Sequence, residues 1–196
     1  MPSDIVDNPA GDSSDQRQQR SPVPSYQWEY TVDGEKYMIS NDKDRLDLSL
    51  FNKAFESDSV YWTDAMSDEA ISLMVEHSCV LGLYKLKPMR VEANRNIKHN
   101  TIQVAEQIGF GRLITDYSTV AYITDVWLSP EHQGKGLGRW MVSCMKKIID
   151  GFPSLRRAVL LTSLHGKGPK FYESELGMKL ADPQKDKYAF MEYTPN

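Results

Sequence analysis

From Tyr26 onward, apolar positions switch between period-two and helical spacing in a definite order. Tyr26-Gln-Trp-Glu-Tyr-Thr-Val alternates bulky and polar residues, and Lys36-Tyr-Met-Ile-Ser resumes that character after Asp33-Gly34. An Asp-Gly pair between two such runs predicts a β-hairpin. Leu46, Leu48, Leu50, Phe51 and Phe55 fall on a mostly helical spacing, so Asp44 to Phe55 reads as a helix. Ser67 starts a second helix, with Asp68 and Glu69 in its first turn and Ile71, Met74 and Val75 as its apolar face. Cys79 to Leu86 is a strand of the buried type, and the polar stretch from Lys87 to Asn100 reads as a long hairpin loop. Ile102 to Asp116 and Thr119 to Leu128 follow as strands of an antiparallel meander. Gly109 and Gly111 predict a bulge or a close backbone approach in the first of them.

After residue 150 the elements shorten. Ala158-Val-Leu-Leu-Thr is a brief apolar strand, and Lys170 to Leu176 is a helix closed by Gly177. Met178–Leu180 and Tyr188–Tyr193 are expected to pair as a hairpin across Asp182-Pro-Gln-Lys. Residues 1–24 are rich in Ser, Asp, Gln, Arg and Pro and bury too little to offset their ordering entropy, so they are expected to be a disordered tail ahead of one folded domain, 25–196. The order of elements predicts a mixed α+β fold.

Tyr122 to Ile149 is the stretch around which this pattern is organised. It reads as a strand, a turn broken by Pro130, a Gly-rich loop and an amphipathic helix with Leu137, Met141, Cys144, Met145 and Ile148 on one stripe. Glycines that lead into a helix N-terminus form an anion cradle, because the first backbone N–H groups lack helical partners and the dipole adds positive charge. Two familiar phosphate loops do not fit. Lys135 is followed by Gly136, not by the hydroxyl residue of a P-loop, and Arg139 stands where a dinucleotide fingerprint needs its third glycine.

The spacing Gln133-x-x-Gly136-x-Gly138 resembles the acyl-CoA loop of the GNAT superfamily of N-acetyltransferases, and the surrounding order of strands and helices agrees over residues 26–193. Gly109-Phe-Gly-Arg, Thr115-Asp-Tyr-Ser-Thr, Ala121-Tyr and Asp125-Val look like a subgroup of small bacterial and fungal members. The resemblance implies a mostly antiparallel central sheet flanked by helices, with a V-shaped splay between strands Tyr122–Leu128 and Ala158–Thr162. It implies acetyl-CoA as acyl donor, held by Val126, Trp127, Leu128, Gln133, Gly134, Lys135, Gly136, Leu137, Gly138 and Arg139. The backbones of Val126 and Leu128 would carry the pantetheine arm.

Acyl transfer to an amine poses two proton problems. An ammonium with a pKa near ~10.4 must lose a proton before attack, and the departing thiolate benefits from a donor. Tyr172, in Phe171-Tyr-Glu-Ser-Glu-Leu-Gly177, resembles the family's donor tyrosine, although five residues instead of four separate it from the glycine, so Glu173 competes for the place. Asp125 is the only carboxylate of the central strand, and the resemblance leaves it either structural or ordering water toward the amine. Tyr61 and Trp62, in the polar loop between the first two helices, either plug the core or line an acceptor pocket. His132 is expected to be exposed without a role, and His165 reads first as a structural histidine and second as a base or acceptor-site candidate.

Charge and cysteines narrow the field further. A net charge of −4 and a pI near 5.6 speak against a general nucleic-acid binder. No apolar run reaches the ~20 residues of a membrane span, no signal peptide is read at the N-terminus, and a cytoplasmic location is expected. Cys79 and Cys144 are expected as reduced core residues, and no metal site is expected from the histidine and cysteine spacings. The leading expectation is a transferase that moves acetyl from acetyl-CoA to a small-molecule amine by direct attack in a ternary complex. The alternatives are a non-catalytic acyl-CoA-binding regulator or transfer of a longer acyl chain. Homodimerisation, common in such folds, stays open.

Overall fold

The computed structural model describes residues 23–58, 60, 62–91, 100–182 and 184–185. Most of the expected tail and the Tyr188–Tyr193 half of the last hairpin therefore lie outside the described residues. Strands β1 (Gln27–Val32) and β2 (Glu35–Ser40) meet in the expected hairpin. Its turn residues Asp33 and Gly34 both have positive φ, 53° and 74°, the backbone that a two-residue turn needs to follow strand twist.

The helix expected over Asp44–Phe55 is two pieces, a 3-10 turn at Lys43–Arg45 and helix α1 at Ser49–Phe55. Aspartates divide them. Asp42 accepts from the Asp44 amide at 3.2 Å and Asp47 from the Ser49 amide at 3.0 Å, while Leu46 is extended between them. Helix α2 (Asp68–Glu76) starts as expected, with the Ser67 hydroxyl accepting from the Ala70 amide.

Strands β3 (Cys79–Val91) and β4 (Asn100–Thr115) run well into the stretch that reads as loop. Their pairing continues through Lys87↔Val104 to Val91↔Asn100, because backbone hydrogen bonds need no apolar period, and a Lys87–Glu106 ion pair accompanies it. Then come β5 (Val120–Leu128), helix α3 (Leu137–Asp150), β6 (Arg157–Leu160) and helix α4 (Gly168–Leu176). Among the described residues Met178–Leu180 forms no strand.

The six strands form one sheet in chain order, antiparallel except for the parallel pair β5 and β6. One core lies beneath α3, built on Leu81, Leu83, Leu113, Ile123, Met141 and Met145. The other lies on the opposite face beneath α1 and α2, built on Phe51, Phe55, Ile71, Val80 and Phe110. Both cysteines are buried free thiols.

Two features open the sheet at its centre. The β5–β6 pairing stops at Ile123↔Leu160, so among the described residues the rest of β5 has no strand on that side. On the β4 side the register steps from Arg112↔Thr124 to Phe110↔Trp127, leaving Asp125 and Val126 opposite Gly111 alone. Asp125 in this bulge has φ 49°, a left-handed backbone that aspartate tolerates better than most residues. The expected close approaches are present. A Cβ on Gly109 would lie 2.7 Å from the Trp127 carbonyl oxygen, and one on Gly111 would lie 2.3 Å from the Met145 Cε.

Candidate active site

A cleft of about 710 Å³ opens where β5 loses its neighbour. Val126, Trp127 and Leu128 form one wall, and Gln133, Gly134, Gly136, Leu137, Gly138 and Arg139 curl around its end. Nine of the ten residues expected to hold acyl-CoA thus line one cavity. The exception is Lys135, whose Nζ donates to Glu35 Oε2 at 2.6 Å on β2 instead of lining the cleft. Besides Tyr172, the lining also includes Leu83, Met141 and Phe171. None of the three stands out in the sequence as a site residue. Met141 falls on the apolar stripe of α3, where core packing and cleft lining share one signal.

The loop holds its shape by local chemistry. Gln133 Nε2 donates to the Leu128 carbonyl at 3.1 Å, tying the loop back to the strand. Gly134 and Gly136 have φ of 83° and 78°, where a side chain would be strained. Gly138 plays a different part. It lies within the first turn of α3, and a Cβ there would meet no protein atom within 4 Å, so its missing side chain leaves room in the cleft wall. A pyrophosphate needs such a cradle, in which backbone amides can be approached closely at a helix N-terminus.

Tyr172 reaches the same cleft from α4, and burial pushes its hydroxyl above the ordinary tyrosine range. Glu173 is exposed and lines no part of the cleft, so of the two contenders α4 presents the tyrosine. Gly177, at φ 67°, closes the helix by donating to the Glu173 carbonyl at 3.0 Å. Arg139 faces Glu175 at 3.4 Å and links the start of α3 to α4.

Asp125 does not line the cleft. It is 8% exposed, and Arg112 Nε and Nη2 both lie 2.7 Å from its Oδ2. Its Oδ1 accepts from Trp62 Nε1 at 3.2 Å and from the Thr124 hydroxyl at 3.1 Å. The carboxylate therefore sits in an ion pair at the bulge, with the half-exposed Trp62 fastened to it. Arg112 is the only cation between Ile108 and Ile114, the one sequence signal that pointed to this pair. Tyr61 lies outside the described residues.

His165 is exposed on the turn before α4. His132 departs from expectation. The 3-10 turn Pro130–His132 leaves it half-buried near Glu106, and its Nδ1 is buried with no hydrogen-bond partner among the described residues. No His/Cys/Asp/Glu group able to hold a metal occurs among the described residues, and no helix there is long and apolar enough to cross a membrane.

Comparison with known proteins agrees with this geometry. Residues 98–175, which carry most of the cleft, match the family described as Acetyltransferase (GNAT) domain. A protein of Gibberella zeae named as a candidate acetyltransferase is 37% identical over 149 residues, covering 73% of this chain and 84% of that one. The chain belongs to the GNAT acetyltransferase family. Solved structures of GNAT proteins share its fold. A candidate acetyltransferase from Xanthomonas campestris superposes with a TM-score of 0.53 at 24% identity, covering 79% of this chain and 93% of its own. A GNAT-family acetyltransferase from Streptococcus pneumoniae superposes with a TM-score of 0.50 at 17% identity, covering 78% and 96%. The mixed, mostly antiparallel sheet of this GNAT protein is thus a fold it shares with those structures.

Proposed function

We propose that this GNAT acetyltransferase moves an acetyl group from acetyl-CoA to a small-molecule amine by direct attack in a ternary complex. The observation that carries the reading is the convergence of the Gln133–Arg139 loop, the unpaired stretch of β5 and Tyr172 on one cleft. The cleft fits the donor on two counts. The open space at Gly138 suits close approach of phosphates to α3, and the β5 edge beyond Ile123 offers backbone to an extended amide-bearing chain.

Acetyl-CoA supplies a thioester, whose carbonyl carbon is the electrophile and whose sulfur is the leaving group. Tyr172 holds its proton well above neutral pH and delivers it from the phenolic oxygen to that sulfur. Asp125 takes a positioning role. It pairs with Arg112, holds the bulge, and fastens the Trp62 indole beside it. The ammonium loses one proton to solvent before attack. As the C–N bond forms and the C–S bond breaks, a second proton leaves the nitrogen to solvent, and solvent reprotonates the Tyr172 phenolate.

The test is CoA thiol release with acetyl-CoA and a panel of small amines, run beside calorimetric titration with CoA. Turnover above the hydrolysis background with at least one amine supports the proposal. Tight CoA binding without turnover on any amine would make the protein an acyl-CoA-binding regulator instead, and preference for a longer acyl donor would revise the acyl group.

A further inference from the structure

Between the two left-handed glycines of the loop stands Lys135, the only residue of Gln133–Arg139 that does not line the cleft. Its ammonium donates to Glu35 at 2.6 Å and to the Tyr37 hydroxyl at 3.4 Å, across a hundred residues of sequence. Glu35, the first residue of β2, also accepts from the Tyr37 hydroxyl at 2.6 Å and pairs with Lys85. One carboxylate thus serves two ammonium groups, each less than a third exposed, and the cluster keeps a net positive charge. Lys135, then Lys85, and the tyrosine hydroxyl hold the Glu35 carboxyl well below the usual range. It is therefore ionised at neutral pH.

A loop with glycines on both sides of Lys135 loses more backbone freedom on ordering than any other kind, so an anchor at its centre has a large effect on how well it is pre-ordered. We propose that Glu35 is a positioning residue for the phosphate loop. By holding Lys135 against β2 it fixes the two flanking glycines, Gly134 and Gly136, in the cleft wall. The phosphates are then left to backbone amides, not to the Lys135 ammonium. The inference rests on the acyl-CoA reading of the cleft and adds to it a residue that touches no part of the donor.

The experiment titrates CoA into the wild-type chain and into Glu35→Gln, Lys135→Met, the double variant and Glu35→Asp by calorimetry. Removing a partly exposed ion pair that orders the loop should weaken CoA binding about three- to fivefold in either single variant. The double variant should be no weaker than the worse single, since both changes break one link. Glu35→Asp, which keeps the charge but falls one methylene short, should lose about two- to threefold by the same scale. At saturating acetyl-CoA, kcat should not change.

Wild-type affinity, or tighter binding, in Glu35→Gln overturns the inference, as does a further loss when Lys135→Met is added to it, because either result puts the lysine on the phosphates. If Glu35→Gln does not fold, undiminished binding by Glu35→Asp still overturns it. A wild-type chain that binds no CoA overturns the acyl-CoA reading itself and this inference with it, a result distinct from all the others.

Discussion

Replacing Gly138 with alanine should move stability and ligand affinity in opposite directions. Gly138 is helical, has no left-handed φ, and offers an added Cβ open space, so the folded chain accepts a methyl without strain. Glycine inside a helix costs roughly 0.5–1 kcal/mol against alanine, with the lower half expected so near the helix start. At about 2–4 °C per kcal/mol for a chain of this size, the melting temperature should rise about 1–3 °C. The same methyl stands in the cleft wall, where a charged phosphate must approach the backbone. Losing one hydrogen bond to a charged group costs about 1.5–3 kcal/mol, or roughly ten- to a hundredfold in CoA affinity. Differential scanning fluorimetry without ligand and calorimetry with CoA read the two effects separately. Gly136→Ala is the contrast, because its φ of 78° makes the substitution destabilising by about 1 kcal/mol. Wild-type CoA affinity in Gly138→Ala, or a lowered melting temperature, would refute the reasoning.

Three further outcomes follow from the geometry. Asp125→Asn keeps the shape and the left-handed preference but removes the negative charge that faces Arg112, whose side chain is 15% exposed. A broken buried pair of this kind costs about 3 kcal/mol, so the thermal melt should fall by roughly 6–12 °C, and a change of under a degree would dismiss the ion pair as structural support. Tyr172→Phe preserves the packing of α4 and should lower kcat about a hundredfold while leaving the KM for acetyl-CoA within about twofold. Equal kcat with thiol release as the slow step would move the donor elsewhere. Acid should destabilise the fold through Glu35, held low first by Lys135, and Asp116, held low first by the Thr119 hydroxyl and then by backbone amides. Both carboxyls are depressed in the folded state, so their contribution is complete above the unfolded values of about 4.3 and 3.9 and drains away as pH falls below them. A melting temperature that stays flat from pH 6 to pH 3 would contradict this.

What could be read from the chain in advance was local. Gln133, Gly136 and Gly138 sit within six residues, so spacing alone carries their geometry, and the Asp33-Gly34 turn and the Ser67 cap are decided by neighbours in sequence. Glu35 could not be read, because its partner Lys135 is a hundred residues distant and an isolated surface glutamate has no signature. Arg112 reaches Asp125 only across a strand pair, so its importance depends on register that a single strand does not report. The length of β3 and β4 was missed for another reason. Polar side chains from Lys87 onward hid a backbone ladder that any residue type except an unfavourably placed proline can join, and Pro88 is accommodated opposite Gln103. The split of Asp44–Phe55 came from aspartate side chains that outcompete helix continuation, a choice that apolar periodicity does not register.

The bulge at Asp125 also changes the phase of β5. Ala121 and Ile123 point to the core beneath α3, yet Trp127, of the same parity, packs with Phe110 at a ring separation of 5.7 Å on the other face. The extra residue makes a frameshift in the side-chain pattern without ending the strand. Deleting Asp125 would restore plain alternation from Val120 to Leu128 and rotate the second half of β5 by one step. The indole would swing into the space meant for the donor, while Val126 and Leu128 would be pressed against Phe110. The second half of the strand therefore depends on its residue count as well as on its residues, and a length variant would fill the cleft while leaving every loop residue in place.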